Sequence, residues 1–310
     1  VRGALPEAIP PVVLTRFAPA PTGYLHLGHL VSALHVWGLA PRYGAQVLLR
    51  IEDHDRQRCR PEFETALLDD LDWLGFRPDI GTTDSFRAGR SPLRQSDSGD
   101  VYRQAVETLR AAGHRVYACG CSRTRSVDQA EGGGSPAARG GPYPGTCRDR
   151  GLEPGPGRGL RVMLPDEVET FTDLRLGRQS QQPARQCGDL LIRDRLGNWT
   201  YQFAVVVDDL RQGIDLVIRG EDLFESTGRQ LQLARMLGRE HAPAFFHHPL
   251  VLKPSGEKLS KATRDASLRD RRAAGATAEA LMGEALAAVG LLPAPRPLGL
   301  GDALEIVSRR

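Results

Sequence analysis

No apolar stretch in this 310-residue chain approaches the ~20 residues that a helix needs to cross a bilayer, so no membrane span is expected. The first residues, Val1-Arg2-Gly3-Ala4-Leu5-Pro6, lack the apolar run of a secretory leader. Cysteine is sparse and odd in number, at five, which speaks against a framework of paired disulfides. An excess of one charge is missing too: the formal net charge is +3, too small by itself to establish a nucleic-acid partner. No internal repeat is evident. The expectation is a cytoplasmic enzyme with one large or two smaller domains around a well-buried core. Apolar and charged fractions of 40% and 25% are ordinary for such a protein.

What is present is an alternation of short apolar runs with helical periodicity. It predicts strand 12–17, helix 27–40, strand 46–51 and helix 61–74, the opening of a parallel α/β sheet. A helix over about 99–112 ends at Gly113, placed as a C-cap. From 117 to about 190 the composition turns to Gly, Pro and Arg, and Gly132-Gly133-Gly134-Ser135-Pro136 reads as a disordered loop. Segments 190–193 and 198–200 then flank a Leu196-Gly197 turn as a hairpin. A helix from about 202, a strand at 214–218 and a helix from about 222 to 237 follow. The last fifty or so residues read as a helix, Ala278 to Leu291, and then Pro-rich chain. The expected architecture is a Rossmann-type doubly wound parallel sheet in two halves, 1–116 and 191–262. An inserted subdomain at 117–190 separates them, and a short helical part occupies 263–310.

Two tetrapeptides carry the chemistry. His26-Leu27-Gly28-His29 follows an apolar run and a Pro/Gly bend (Pro19, Pro21, Gly23) and opens a helix. A strand feeding a helix through such a turn aims backbone N–H groups at an anion, and two imidazoles add donors. The alternative is a pair of helix-start residues that cap their own backbone. Lys258-Leu259-Ser260-Lys261 follows the Pro254-Ser255-Gly256 turn. Either motif alone is weak; both, in this order around an α/β core, read as a clamp on a nucleoside triphosphate. The cations Lys258, Lys261, Arg264, Arg269, Arg271 and Arg272 suit a solvated helix face or a phosphate backbone. Asp53, His54 and Asp55 read as a solvated acidic loop rather than a metal site, and Cys59 and Cys187 as packed thiols.

Longer stretches extend the pattern: Arg16-Phe17-Ala18-Pro19-Ala20-Pro21-Thr22-Gly23, Arg50-Ile51-Glu52-Asp53, Tyr201 through Asp209, and Val217-Ile218-Arg219-Gly220-Glu221-Asp222-Leu223. With these the chain resembles the class I aminoacyl-tRNA synthetases, and their glutamyl branch in particular, over roughly residues 12 to 265. The resemblance implies that L-glutamate is held by Arg16, Ala18, Glu52, Tyr201 and Arg219. Two guanidinium forks would take its carboxylates and Glu52 its ammonium. ATP, with Mg²⁺ as counter-ion, would lie on His26, Gly28, His29, Ser260 and Lys261. His26, His29, Lys258 and Lys261 would be the catalytic set, supplying donors for the charge that builds on the phosphates.

Cys119-Gly120-Cys121 and Cys147 offer three thiolates for a tetrahedral Zn²⁺ and leave the fourth position open. The resemblance supplies Tyr143 there, because Cys-x-Cys followed by Tyr-x-x-x-Cys is similar to the pattern of one short paralogue within the branch. One structural zinc is implied. The loop between Ser126 and Gly141 is longer than the family pattern. About fifty residues follow Lys261, too few for an anticodon-binding domain, and Val205 stands where the longer enzymes carry a polar residue. That short paralogue activates glutamate without tRNA and transfers it to the queuosine base in the tRNA(Asp) anticodon loop. A monomer is expected. Two alternatives remain: a truncated synthetase that charges a tRNA 3′ end or a non-RNA acceptor, and a non-catalytic tRNA-binding or glutamate-sensing protein.

Overall fold

The computed structural model describes residues 13–121, 141–251 and 266–309. A six-stranded sheet is built from β1 (Leu14–Phe17), β2 (Gln46–Leu49), β5 (Glu169–Asp173), β6 (Gly177–Gln181), β8 (Leu216–Gly220) and β9 (Ala244–His248), in the order β2-β1-β8-β9-β5-β6. All neighbours run parallel except the edge strand β6, which pairs antiparallel with β5. The sheet is therefore mixed rather than purely parallel, a common form of an open α/β sheet. β3 (Val116–Cys119), β4 (Gly159–Val162) and β7 (Leu190–Arg193) form a separate antiparallel sheet.

Period-two alternation along the strands explains why the large sheet is covered on both faces. Val47, Leu49, Leu216, Ile218 and Phe246 enter one cluster with α1 (Leu27–Leu39) and α2 (Pro61–Leu74). Leu48, Val217 and Phe245, one residue out of phase, pack on the other face with Leu231 of helix Thr227–Met236. β1, α1 and β2 make one crossover unit, and β8 lies on the other side of β1. The strand order switches between β1 and β8, which opens a crevice beyond their carboxyl ends, where α/β sheets bind ligands.

Several boundaries differ from the sequence expectations. β1 begins at Leu14, with Val12 outside the described residues; β2 ends at Leu49, and α1 ends at Leu39 with Ala40 as C-cap. α2 spans Pro61–Leu74 as expected, with Pro61 at the first helical position and Gly75 left-handed at its end. The helix at Gly99–Ala111 ends one residue before the expected boundary, and Gly113 follows with φ 81°. The hairpin reduces to β7 and a single bridge, Arg193 to Trp199, because Asp194 gathers the turn's N–H groups instead. The helix expected from 222 is a 3-10 segment, Glu221–Ser226, before the α-helix Thr227–Met236, and the preceding strand is shifted to Leu216–Gly220. Residues 117–190, expected as one insertion, serve both sheets: β5 and β6 rejoin the large one before residue 190.

The C-terminal end is also corrected. Helix Ala278–Ala288 stops short of Leu291, and the chain after the prolines forms a further helix, Leu300–Ser308. That helix packs on α1 at Gly38, where a Cβ would stand 2.8 Å from Val307 Cβ. α1 is thereby held between sheet and helix, which fixes the position of its N-terminus. No described helix is long and apolar enough to cross a membrane. The Gly-rich segment 132–136 lies outside the described residues.

Candidate active site

After β1 the chain turns through Pro19 and Pro21 and reaches His26, the extended N-cap of α1. Its Nδ1 accepts from the Gly28 N–H at 3.1 Å, and its own N–H donates to His29 Nδ1, also at 3.1 Å. Two histidines thus make the reciprocal capping box usually made by a hydroxyl and a carboxylate. Capping and phosphate binding are compatible here. With Nδ1 accepting, each neutral ring carries its proton on Nε2, a donor of the kind a phosphate needs. The ring centroids are 4.0 Å apart. At Gly28, one of the residues expected to hold ATP, a Cβ would sit 3.0 Å from His26 Cε1.

A cavity of about 350 Å³ opens at this helix end, lined among others by His26, Gly28, His29, Gly220, His248 and Leu250. Lys258, Ser260 and Lys261 lie outside the described residues. A second cavity of about 250 Å³ shares His29, Ser32, Gly220 and Leu223 with the first. All five residues expected around glutamate line it: Arg16, Ala18, Glu52, Tyr201 and Arg219. Val205 does not reach this space; it is buried in the apolar cluster under the small sheet.

The two guanidinium groups differ in electrostatic state. Arg16 is already paired, its Nε donating to Asp209 Oδ1 at 3.2 Å. Asp209 also accepts from Arg50 Nη1 at 2.8 Å, and Arg50 Nη2 donates to Glu52 Oε1 at 2.9 Å. Arg50 is fully buried; burial opposes its charge, but Asp209, Glu52 and Asp208 outweigh it and raise its pKa. Burial likewise opposes ionisation of Asp209, yet Arg16 and Arg50 hold its carboxyl below the ordinary range. Arg219 has no such partner. Its Nε donates to His247 Nε2 at 3.0 Å, Nη1 to Gln230 Oε1 at 2.6 Å and Nη2 to Thr227 Oγ1 at 2.9 Å, all neutral acceptors. Among the described residues no carboxylate lies within ion-pair distance of it, and burial draws its pKa down. A buried cation left in this state favours an incoming anion. Burial also raises the Tyr201 phenol, which keeps its proton.

Sequence reading missed the supporting groups. Arg50 and Asp209 lie in segments far apart in sequence and meet only in the fold, as do Asp173 and His247 behind Arg219, whose other partners Thr227 and Gln230 follow 8 and 11 positions along the chain. His54 also lines the smaller cavity, tied through Nδ1 to Gln95 Oε1 at 2.7 Å. Asp53 is not solvated as expected: it is buried, accepting from the Ser96 N–H and from Arg56, both at 2.7 Å. The described arginines of the C-terminal basic cluster have partners of their own. Arg269 donates to the Tyr24 hydroxyl, Arg271 pairs with Glu284, and Arg272 lies over the Trp73 ring.

Cys119, Cys121 and Cys147 come together, their sulfurs all within 4.8 Å of one another. Cys119 ends β3. Tyr143 joins the cluster, with its hydroxyl 3.5 Å from Cys119 Sγ and accepting from the Cys147 N–H at 2.8 Å. Cys121 and Cys147 sulfurs are 3.5 Å apart. Burial opposes ionisation of Cys147, but the Gly120 backbone and Tyr143 outweigh it and bring the thiol down to about 7, whereas burial and Cys147 push Cys121 up to about 11. A tetrahedral ion with metal–sulfur bonds of about 2.3 Å would space its sulfurs about 3.8 Å apart, so the donor set fits one zinc. Cys59 and Cys187 stand apart from it, both half-buried.

A family model for the catalytic domain of class I tRNA synthetases (E and Q) matches residues 12–294. A glutamyl-Q tRNA(Asp) synthetase of Symbiobacterium thermophilum is 41% identical over 294 residues, covering 91% of this chain and 88% of that protein. One from Geobacter sulfurreducens is 42% identical over 269 residues, covering 85% and 80%. Among solved structures, the glutamate-tRNA synthetase of Elizabethkingia anophelis is similar with a TM-score of 0.74 and 26% identity, over 96% of this chain and 66% of that one. The chain thus spans about two thirds of that synthetase's length.

Proposed function

The chain belongs to the class I tRNA synthetases of the E and Q group, a family of ligases, and from that premise we propose that it activates L-glutamate with ATP in the absence of tRNA and transfers it to the queuosine base in the tRNA(Asp) anticodon loop. The observation that carries the activation step is the buried Arg219 guanidinium, without a carboxylate partner among the described residues, in one cavity with Arg16, Glu52 and Tyr201. Glutamate brings two carboxylates and one ammonium, a complement to two guanidinium groups and one carboxylate. In the first step a carboxylate oxygen of glutamate bonds to the α-phosphorus of ATP, and the bond from that phosphorus to the bridging oxygen breaks to release pyrophosphate. His26 and His29 donate Nε2–H bonds to the phosphates, and the start of α1 adds its positive end. Lys258 and Lys261 neutralise the triphosphate, with Ser260 beside them; Mg²⁺ accompanies the ATP.

The acceptor assignment draws on the relatives named glutamyl-Q tRNA(Asp) synthetase. A hydroxyl of the modified base would attack the activated carbonyl and displace AMP. Single-stranded loops with splayed bases suit recognition of this kind. Cys119, Cys121, Tyr143 and Cys147 would hold a structural zinc that ties the small sheet to its loop; it supplies no step of the reaction. A cytoplasmic monomer remains the working state.

The test is glutamate-dependent ATP–pyrophosphate exchange without tRNA, then mass spectrometry of tRNA(Asp) incubated with the protein and glutamate. Exchange together with a glutamylated anticodon nucleoside is expected. Glutamate at the 3′ terminus would instead favour ordinary aminoacylation, and no exchange at all would favour a binding or sensing protein.

A further inference from the structure

An arginine presents five N–H groups, and three of those on Arg219 are committed, to His247, Gln230 and Thr227. The other N–H groups of the terminal nitrogens, which have the Tyr201 hydroxyl of the cavity wall as a further neighbour, are the ones left to grip a carboxylate. Which way that fork faces depends on the Nε contact, and so on the tautomer of His247. Its Nδ1 lies 2.6 Å from Asp173 Oδ2, a carboxylate that only accepts, so the proton sits on Nδ1 and the lone pair on Nε2 faces Arg219. Asp173 is fixed in turn: Oδ1 accepts from the N–H groups of Arg175 at 3.0 Å and Leu176 at 2.8 Å, and Oδ2 also accepts from the His247 N–H at 3.2 Å. The register of β8 against β9 sets Arg219 beside His247, and Asp173 at the end of β5 pairs with Phe245 of β9. Asp173, His247 and Arg219 are 1%, 0% and 5% exposed, so solvent does not substitute for any of these contacts.

We propose that Asp173 and His247 are positioning residues for amino-acid activation: they lock the accepting tautomer of His247 and so hold the Arg219 fork toward the substrate carboxylate. Neither lines the cavity, and neither touches the reacting atoms. A carboxylate in the place of His247 would also orient Arg219, but it would cancel the charge that the substrate is to meet. A neutral imidazole orients without neutralising, and Asp173, one group further away, selects its tautomer. This inference rests on the glutamate-activating reading above.

The experiment is ATP–pyrophosphate exchange at varied glutamate and varied ATP for wild type, His247→Leu, His247→Gln and Asp173→Asn. For His247→Leu we expect glutamate KM to rise about 10- to 100-fold, the equivalent of one charge-assisted hydrogen bond, with ATP KM and kcat within about twofold of wild type. His247→Gln, whose amide oxygen can still accept from Nε, should regain most of the loss. Asp173→Asn should be worse than His247→Gln, because an amide N–H facing Nδ1 moves the ring proton to Nε2 and sets N–H against N–H. Should His247→Leu not fold, the ranking of the two near-isosteric variants decides: a glutamate KM for Asp173→Asn at or below that of His247→Gln overturns the inference. Unchanged glutamate KM in a folded His247→Leu, or equal rises for glutamate and ATP, overturns it as well. Wild-type protein without exchange would overturn the parent reading, and this inference with it, so the two failures are distinct.

Discussion

Replacing Arg50 with Met removes the one cation shared by Asp209, Glu52 and Asp208 while keeping most of the side-chain volume. Arg50 is wholly buried, with hydrogen bonds of 2.8 Å to Asp209, 2.8 Å to Gln212 and 2.9 Å to Glu52, and Asp208 3.9 Å from its Nε. Breaking a buried ion pair from one side leaves uncompensated charge and costs about 3–5 kcal/mol. Against a total stability on the order of 5–15 kcal/mol this is a large share. The pH dependence follows from the direction of the Asp209 shift. Its carboxyl is held low in the folded protein by Arg16 and Arg50, so its contribution is full above the unfolded value near 3.9 and is lost as pH falls through the folded one. In Arg50→Met the carboxylates crowd one another, the folded state takes up protons more readily than wild type, and its deficit narrows as pH falls from neutral toward about 4. Urea unfolding of both proteins at pH 7 and pH 5 measures this. A deficit under about 1 kcal/mol at pH 7, or one that grows on acidification, would refute the account of the network.

Arg219→Ala should raise the glutamate requirement in pyrophosphate exchange by roughly 10²-fold or more and the ATP requirement far less, since it deletes a desolvated charge partner; equal changes would contradict the pocket. His29→Ala and Lys261→Ala should each lose about 10²–10³ in exchange rate while remaining folded by circular dichroism, and retained exchange in either would remove the phosphate clamp. Gly188→Ala should release Tyr143, because Gly188 sits at φ 65° and a Cβ there would lie 2.0 Å from the Tyr143 carbonyl oxygen. Metal analysis should show zinc lost from it and from Cys119→Ser; a full equivalent in Cys119→Ser would sink the metal site.

The first crossover was legible because its elements are local: the apolar run of β1, the Pro/Gly bend and the helical stripe of α1 lie within thirty residues of one another. α2 was read to the residue, since Pro61 and Gly75 punctuate it. The segment 117–190 was less legible. β5 and β6 are short, and β6 (Gly177–Gln181) is polar throughout, as an edge strand with an open face allows, so no apolar run marked its return to the large sheet. The helix Leu300–Ser308 was masked by the prolines before it. Nothing in the local sequence of Glu221–Ser226 distinguished a 3-10 segment from the first turns of an α-helix.

The site shows the same division more sharply. Residues that touch the cavity fall in contiguous stretches, and a likeness of motif reaches them: Arg16, Glu52, Tyr201 and Arg219 converge as a set. Their charge states follow from partners that the chain brings from elsewhere. Within the ion-paired network around Arg50, the guanidinium groups of Arg16, Arg50 and Arg211 face the carboxylates of Glu52, Asp208 and Asp209, three against three. Arg219 stands beside that balanced set with neutral partners only, and the nearest carboxylate on its other side, Asp173, is held one group away behind His247. Glutamate, with two carboxylates and one ammonium, carries one negative charge. Glutamine lacks the second carboxylate and would leave one of the two guanidinium groups without an anion in a buried place, where an unpaired charge is costly. On the proposed function, selection between the two amino acids would rest less on the number of arginines in the pocket than on which of them the fold leaves without a carboxylate partner. Two arginines written alike in the sequence differ in this respect only because Asp209 reaches Arg16 and an imidazole reaches Arg219.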